Sequence, residues 1–125
     1  IDLLDLQSAR IQFVGALPYG TQKLGELGRA LALEPELLLL DEPSAGMNSE
    51  EKQDLIFWIK DIQDELGVTI LLIEHDMKMV MDISDRVLAI NFGRPITEDI
   101  PDGVQKHPEV LKDYLGEDEF IDSAA

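Results

Sequence analysis

The sequence predicts an α/β fold: a mainly parallel sheet with flanking helices, closed by a terminal β-hairpin and small helices. Three observations carry this reading. Two apolar runs, at 37–40 (Leu-Leu-Leu-Leu) and 68–73 (Val-Thr-Ile-Leu-Leu-Ile), read as strands buried on both faces, as in a parallel sheet. A long amphipathic helical pattern lies between them, as a parallel crossover needs. A third apolar run at 87–90 is followed by Asn91-Phe92-Gly93-Arg94 and Pro95-Ile96-Thr97, the pattern of an antiparallel hairpin.

Taken in order, residues 1–6 carry helical spacing (Ile1, Leu4) and are expected to close a helix begun upstream. Residues 7–16 read as a loop. In Leu17-Pro18-Tyr19-Gly20-Thr21-Gln22, Pro18 and Gly20 punctuate the chain and Thr21 is placed to cap the next helix. That helix is expected over 22–33, where Leu24, Leu27 and Leu31 fall at i, i+3 and i+7. Gly25 and Gly28 each cost it about 1 kcal/mol relative to alanine, which suggests a close packing contact. Glu34-Pro35-Glu36 ends it. Pro43 stops the leucine strand, having no N–H to donate. Ser44-Ala45-Gly46-Met47 is a tight connection. Asn48 is the expected N-cap of the second long helix, with Glu51 completing a capping box. This helix runs to about Leu66, with Leu55, Ile59, Ile62 and Leu66 in one stripe, Trp58 beside it and Gly67 at its end. Met77, Val80 and Met81 share a face of a short helix. Helical stretches are expected over 102–106 and 108–115, and the acidic residues 116–125 are expected to fray.

The 125 residues suffice for one domain, and 45% hydrophobic content argues against wholesale disorder. The net charge is −16, from 26 acidic and 10 basic residues. Nucleic acid is therefore disfavoured as a partner, because phosphate backbones select basic surfaces. An anionic membrane surface is disfavoured too, so membrane association would run through another protein. A phosphate site is compatible with this charge, being a local arrangement of N–H groups and Mg²⁺. The absence of cysteine excludes a disulfide framework and a thiolate zinc site, and fits a reducing compartment. No apolar run approaches the length of a membrane-spanning helix.

Both long strands end in acids and a histidine: Asp41-Glu42 and Glu74-His75. In a parallel sheet those ends share one edge, where ligands of open α/β sheets bind. An Asp there can hold Mg²⁺, a Glu can orient a water and a His can contact a phosphate. The 17–22 loop leads into a helix, whose free N–H groups and positive end suit an anion.

Together these residues resemble an ATP-binding cassette (ABC) ATPase. Leu17-Pro18-Tyr19-Gly20-Thr21-Gln22 is similar to the signature loop, usually LSGGQ. Leu37 to Pro43 is similar to the Walker B strand, Ser44 to Asn48 to the D-loop, and Leu71-Leu72-Ile73-Glu74-His75-Asp76 to the strand with the switch histidine. The signature, the D-loop Ala-Gly-Met-Asn, His107-Pro108-Glu109-Val110 and Tyr114-Leu115-Gly116 resemble the ATP-binding subunits of branched-chain amino acid importers. The resemblance divides the chain into the end of a helical subdomain with the signature loop (1–34), a Walker B, D-loop and switch-histidine core (35–98) and a C-terminal helical tail (99–125).

The resemblance also implies roles. Asp41 would hold Mg²⁺. Glu42 would be the catalytic base and His75 would contact the γ-phosphate. Tyr19, Gly20 and Thr21 would present backbone N–H groups to ATP on a partner subunit, with Gln22 supporting them. Gly46 and Asn48 would couple the two sites across the dimer. ATP and Mg²⁺ are the implied ligands. A second ABC ATPase subunit, in a homo- or heterodimer, and membrane permease subunits are the implied partners. The implied location is cytoplasmic, at the inner face of the cell membrane. Pro18 and Tyr19 depart from the usual serine and glycine, and Asn48 stands where most of the family has Asp.

No G-x-x-x-x-G-K-[ST] phosphate loop occurs in the chain. The chain is therefore expected to be the C-terminal half of a nucleotide-binding domain, inactive by itself. Without the strand that carries the phosphate loop, 68–73 and 87–90 are expected to pair directly or to swap with a second copy. The other function class is a non-enzymatic half-domain acting as an acidic protein-interaction module. A DNA-repair cassette ATPase is disfavoured by the charge and the importer-like tail.

Overall fold

A computed structural model describes residues 2–115, which pack as two units divided between His75 and Asp76. Among the described residues each unit holds one two-stranded sheet, parallel in the first and antiparallel in the second.

The first unit contains α1 (Tyr19–Leu31), β1 (Leu37–Asp41), α2 (Ser49–Leu66) and β2 (Thr69–Ile73). Within the helix expected over 1–6, the described residues 2–5 form a turn instead, in which Asp5 has φ +50° and its N–H donates to the Asp2 carbonyl at 3.1 Å. The expected 7–16 loop contains two short 3-10 turns, Gln7–Ala9 and Val14–Ala16. Helix α1 begins at Tyr19 rather than Gln22. Pro18 occupies the N-cap, its φ of −54° already near the helical value, and Thr21 lies inside the first turn instead of capping it. At Gly28 a Cβ would lie 3.3 Å from the Leu4 side chain, so this glycine admits the close contact its position suggests; Gly25 meets nothing within 4 Å.

Helix α2 starts with the expected capping box: Asn48 Oδ1 accepts from the Glu51 N–H at 2.9 Å, and Glu51 Oε2 accepts from the Asn48 N–H at 3.0 Å. It ends at Gly67, whose φ of +63° is the left-handed value that glycine adopts without strain.

Strands β1 and β2 pair parallel and in register, Leu37 with Thr69 through Asp41 with Ile73. Leu4, Leu27, Leu38, Ile62 and Val68 form the core, with Leu40 and Ile70 packed against it. The strands are not buried on both faces as expected. Leu38 is 4% exposed whereas Leu39 is 65% exposed, and Leu37, Leu71 and Ile73 share its open face. A strand buries both faces only when a layer covers each, and among the described residues of this unit only the Leu38 side is covered.

The second unit contains α3 (Met77–Ile83), β3 (Val87–Asn91), β4 (Arg94–Asp99), α4 (Pro101–Gln105) and α5 (Pro108–Val110), continued by a π-helical turn, Leu111–Leu115. The hairpin loop is Phe92-Gly93, with φ of +47° and +75°, as a two-residue primed turn requires. Ala89, Val104 and Val110 form its core, with Met77 and Met81 packed on them. Tyr114 donates its hydroxyl to the Ile90 carbonyl. The direct pairing expected between 68–73 and 87–90 is not made, since β2 and β3 belong to separate sheets. The acidic 116–125 tail lies outside the described residues.

Candidate functional site

The site forms where the parallel strands end. The Glu42 N–H donates to the Ile73 carbonyl at 2.8 Å, extending the ladder by one bond. The chain then turns sharply, and Glu42 takes φ +45°. A left-handed conformation costs a non-glycine residue about 1–2 kcal/mol, so surrounding contacts must hold it. Ser44 is 3% exposed, and its N–H donates to Glu74 Oε1 at 2.8 Å. The Ala45 N–H donates to the Glu42 carbonyl, and the Met47 N–H to the Ser44 carbonyl, each at 3.1 Å.

Glu74 therefore clamps both strand ends. Besides the Ser44 N–H it accepts the His75 N–H, at 3.3 Å through Oε2. His75 Nδ1 lies 3.3 Å from Glu42 Oε1, with the two side chains 72% and 52% exposed. A contact so open to water contributes little stability; it brings both groups to the same solvent-facing space. The Asp41 carboxylate is exposed at the adjacent strand end, without a partner among the described residues.

The signature residues occupy the first turn of α1. The N–H groups of Tyr19, Gly20 and Thr21 have no intrahelical acceptor, whereas the Gln22 N–H reaches the Pro18 carbonyl at 3.0 Å. Gln22 Nε2 donates to the Leu17 carbonyl at 2.8 Å, tying the loop to the helix it enters. A Cβ on Gly20 would stand 3.1 Å from Glu51 Oε1, so glycine allows α1 to approach the start of α2. Asn48 and Glu51 are committed to their capping box. The Tyr19 hydroxyl donates to the Ala45 carbonyl at 3.0 Å. Tyr19 and Gly46 are thus neighbours, and Glu42 and His75 are paired. Sequence reasoning assigns no role to Glu74 or to the Tyr19 phenol. The signal for Glu74 is its place at a strand end beside His75; the contact of Tyr19 has no sequence signature.

Among the described residues no three His, Asp or Glu side chains cluster as a metal cage. Mg²⁺ keeps several waters and takes one or two carboxylates plus substrate phosphates. A single exposed carboxylate at Asp41 fits that mode. A cleft of about 130 Å³ lies between the start of α1 and α2, lined by Gly20, Thr21, Met47 and Trp58 among others. Small-molecule sites usually enclose about 300–1,000 Å³, so this cleft does not itself house a nucleotide.

No family model matches the chain. Over 103 residues it is 47% identical to the high-affinity branched-chain amino acid transport ATP-binding protein BraF of Pseudomonas aeruginosa, covering 82% of this chain and 40% of that protein. Over 101 residues it is 45% identical to the corresponding protein LivG of Escherichia coli, covering 81% and 40%. A crystal structure of the ADP conformation of an ATP-binding cassette of an ABC transporter superposes with a TM-score of 0.83 at 30% identity, covering 93% of this chain and 47% of that one. The chain belongs to the ATP-binding cassette family. A second cassette, cbiO1 from Clostridium perfringens, part of the ABC transporter complex cbiONQ, superposes with a TM-score of 0.80 at 26% identity, over 98% and 49%. The chain spans about 40% of the length of the curated cassette relatives it matches.

Proposed function

We propose that this chain is part of an ATP-hydrolysing subunit of an ABC importer for branched-chain amino acids. The observation that carries the reading is the Glu42–His75 pair, 3.3 Å apart at the ends of adjacent parallel strands. A carboxylate held by a histidine beside an open space is equipped to orient a water and accept its proton. His75, fixed through its own N–H by Glu74, keeps Glu42 aimed while its other ring nitrogen remains free to meet a phosphate oxygen. Asp41 would hold Mg²⁺, which supplies charge neutralisation on the transferred phosphoryl group. Tyr19, Gly20 and Thr21 offer N–H groups at a helix N-terminus to the phosphates of ATP on a partner subunit, with Gln22 bracing the loop. Gly46 and Asn48 lie in the segment that would face that partner.

Permease subunits would bring the protein to the membrane, since no described helix is long and apolar enough to cross it. The phosphate loop is supplied from outside this chain, so the chain alone should not hydrolyse ATP. The open edges of β2 and β3 favour swapped association of the isolated chain with a second copy. A monomer by sedimentation would overturn that last point.

The test uses the full-length subunit. Glu42→Gln should lower phosphate release by at least about a hundredfold, the scale of losing a general base, while MgATP still binds. Hydrolysis at the parental rate in Glu42→Gln would overturn the assignment.

A further inference from the structure

A long-range contact between the signature turn and the D-loop is made by a tyrosine whose side chain has no assigned role. Tyr19 is the first residue of α1, and its hydroxyl reaches the Ala45 carbonyl, 26 residues away, at 3.0 Å. Its ring lies against Gly46: a Cβ there would sit 3.4 Å from Tyr19 Cε1 and 3.5 Å from its hydroxyl oxygen. Those are ordinary contact distances, so it is the backbone, with φ +77°, that calls for glycine at position 46. Lys23, one turn further along α1, places Nζ 5.5 Å from the ring centroid and is itself held by Glu26 at 3.2 Å. Hydroxyl, ring face and ring edge are thus engaged by different neighbours.

Ala45 is not a passive acceptor. Its own N–H donates to the Glu42 carbonyl at 3.1 Å, and the Glu42 carboxylate meets His75 at 3.3 Å. Hydrogen bonds therefore link the start of α1 through Ala45 to the main chain of Glu42, the residue whose carboxylate would act on water. Moving the first turn of α1 by more than a few tenths of an ångström would break the phenol's bond or drag Ala45 with it. Glu42 stands on a left-handed backbone, where a small change in the following turn re-aims the side chain.

We propose that the Tyr19 phenol is a positioning residue that couples the signature turn to the D-loop of the same subunit and so sets the aim of Glu42. The proposal rests on the ATPase reading above. If the signature turn contacts a nucleotide on the partner subunit, the phenol relays that engagement to the carboxylate serving the subunit's own nucleotide.

The test compares Tyr19→Phe with the parent in the full-length subunit, assembled with its partner subunits. Phenylalanine keeps the ring on Gly46 and removes only the hydroxyl. The expected result is a kcat lowered about three- to tenfold, the scale of one lost neutral hydrogen bond, with KM and nucleotide affinity within about twofold and an unfolding temperature lowered by no more than about 4 °C. An unchanged kcat in Tyr19→Phe overturns the proposal. So does a loss confined to KM, which would make position 19 a binding contact only, or a loss explained by unfolding at the assay temperature, which would make it a fold contact only. If the parent hydrolyses no ATP, the ATPase reading fails and takes the proposal with it; if the parent is active and Tyr19→Phe equals it, the proposal alone fails.

Discussion

Glu74 makes the sharpest structural prediction. Its carboxylate is the acceptor for the N–H of Ser44, a residue only 3% exposed, at 2.8 Å. Replacing Glu74 with Ala leaves that buried N–H without an acceptor. An unsatisfied buried donor costs about 1–3 kcal/mol, and a hydrogen bond to a charged acceptor is worth about 1.5–3 kcal/mol. A loss of about 2 kcal/mol is expected, concentrated in the 42–47 loop. At about 1.36 kcal/mol per factor of ten, local opening should become about thirtyfold more frequent. Glu74→Gln keeps an acceptor but not the charge, which roughly halves the bond, so opening should rise about fivefold. Native-state hydrogen exchange of the Ser44 amide reads this opening directly. The His75 amide, bound to the same carboxylate at 3.3 Å, should change less. Ser44 exchange within about twofold of the parent in Glu74→Ala, or equal effects of Ala and Gln, would refute the clamp.

Two further predictions concern stability. Ile62 is fully buried, with 0% exposure, at the centre of the first unit's core, so Ile62→Ala should cost about 2–5 kcal/mol, read as a lowered denaturant midpoint with an unchanged slope. Phe92 is 99% exposed and sits at φ +47°, so Phe92→Asn gives up no packing and relieves about 1 kcal/mol of backbone strain; the denaturant midpoint should rise, and a fall would show that the ring has a partner.

How much is legible in the sequence depends on whether the cause is local. The capping box of Asn48 and Glu51 and the left-handed Gly67 are fixed by neighbours within one turn, and both are readable. The two strand ends are readable because each apolar run breaks directly into charged residues, and parallel pairing then brings Glu42 to His75. The start of α1 is misplaced by sequence reasoning because Thr21 has the chemistry of a cap, whereas Pro18, pre-set near helical φ, takes the N-cap and the helix begins at Tyr19. The left-handed turn at Glu42 is invisible because its restraint comes from Glu74, and Tyr19 reaches Ala45 across 26 residues. Nor does an unbroken apolar run tell whether its strand has a layer on one face or two, which is why Leu39 and Leu71 are expected inside and lie outside.

The bare face of the β1–β2 sheet gives the net charge of −16 a second meaning. Leu37, Leu39, Leu71 and Ile73 would draw copies of the isolated chain together, while like charge holds them apart over about 10 Å at 0.1 M salt. How far it associates is then a colloidal matter: a balance of surface repulsion against surface stickiness, independent of how well Ile62 is packed. Added salt, or a pH lowered toward the isoelectric point of about 4.2, should clump the chain well before it unfolds.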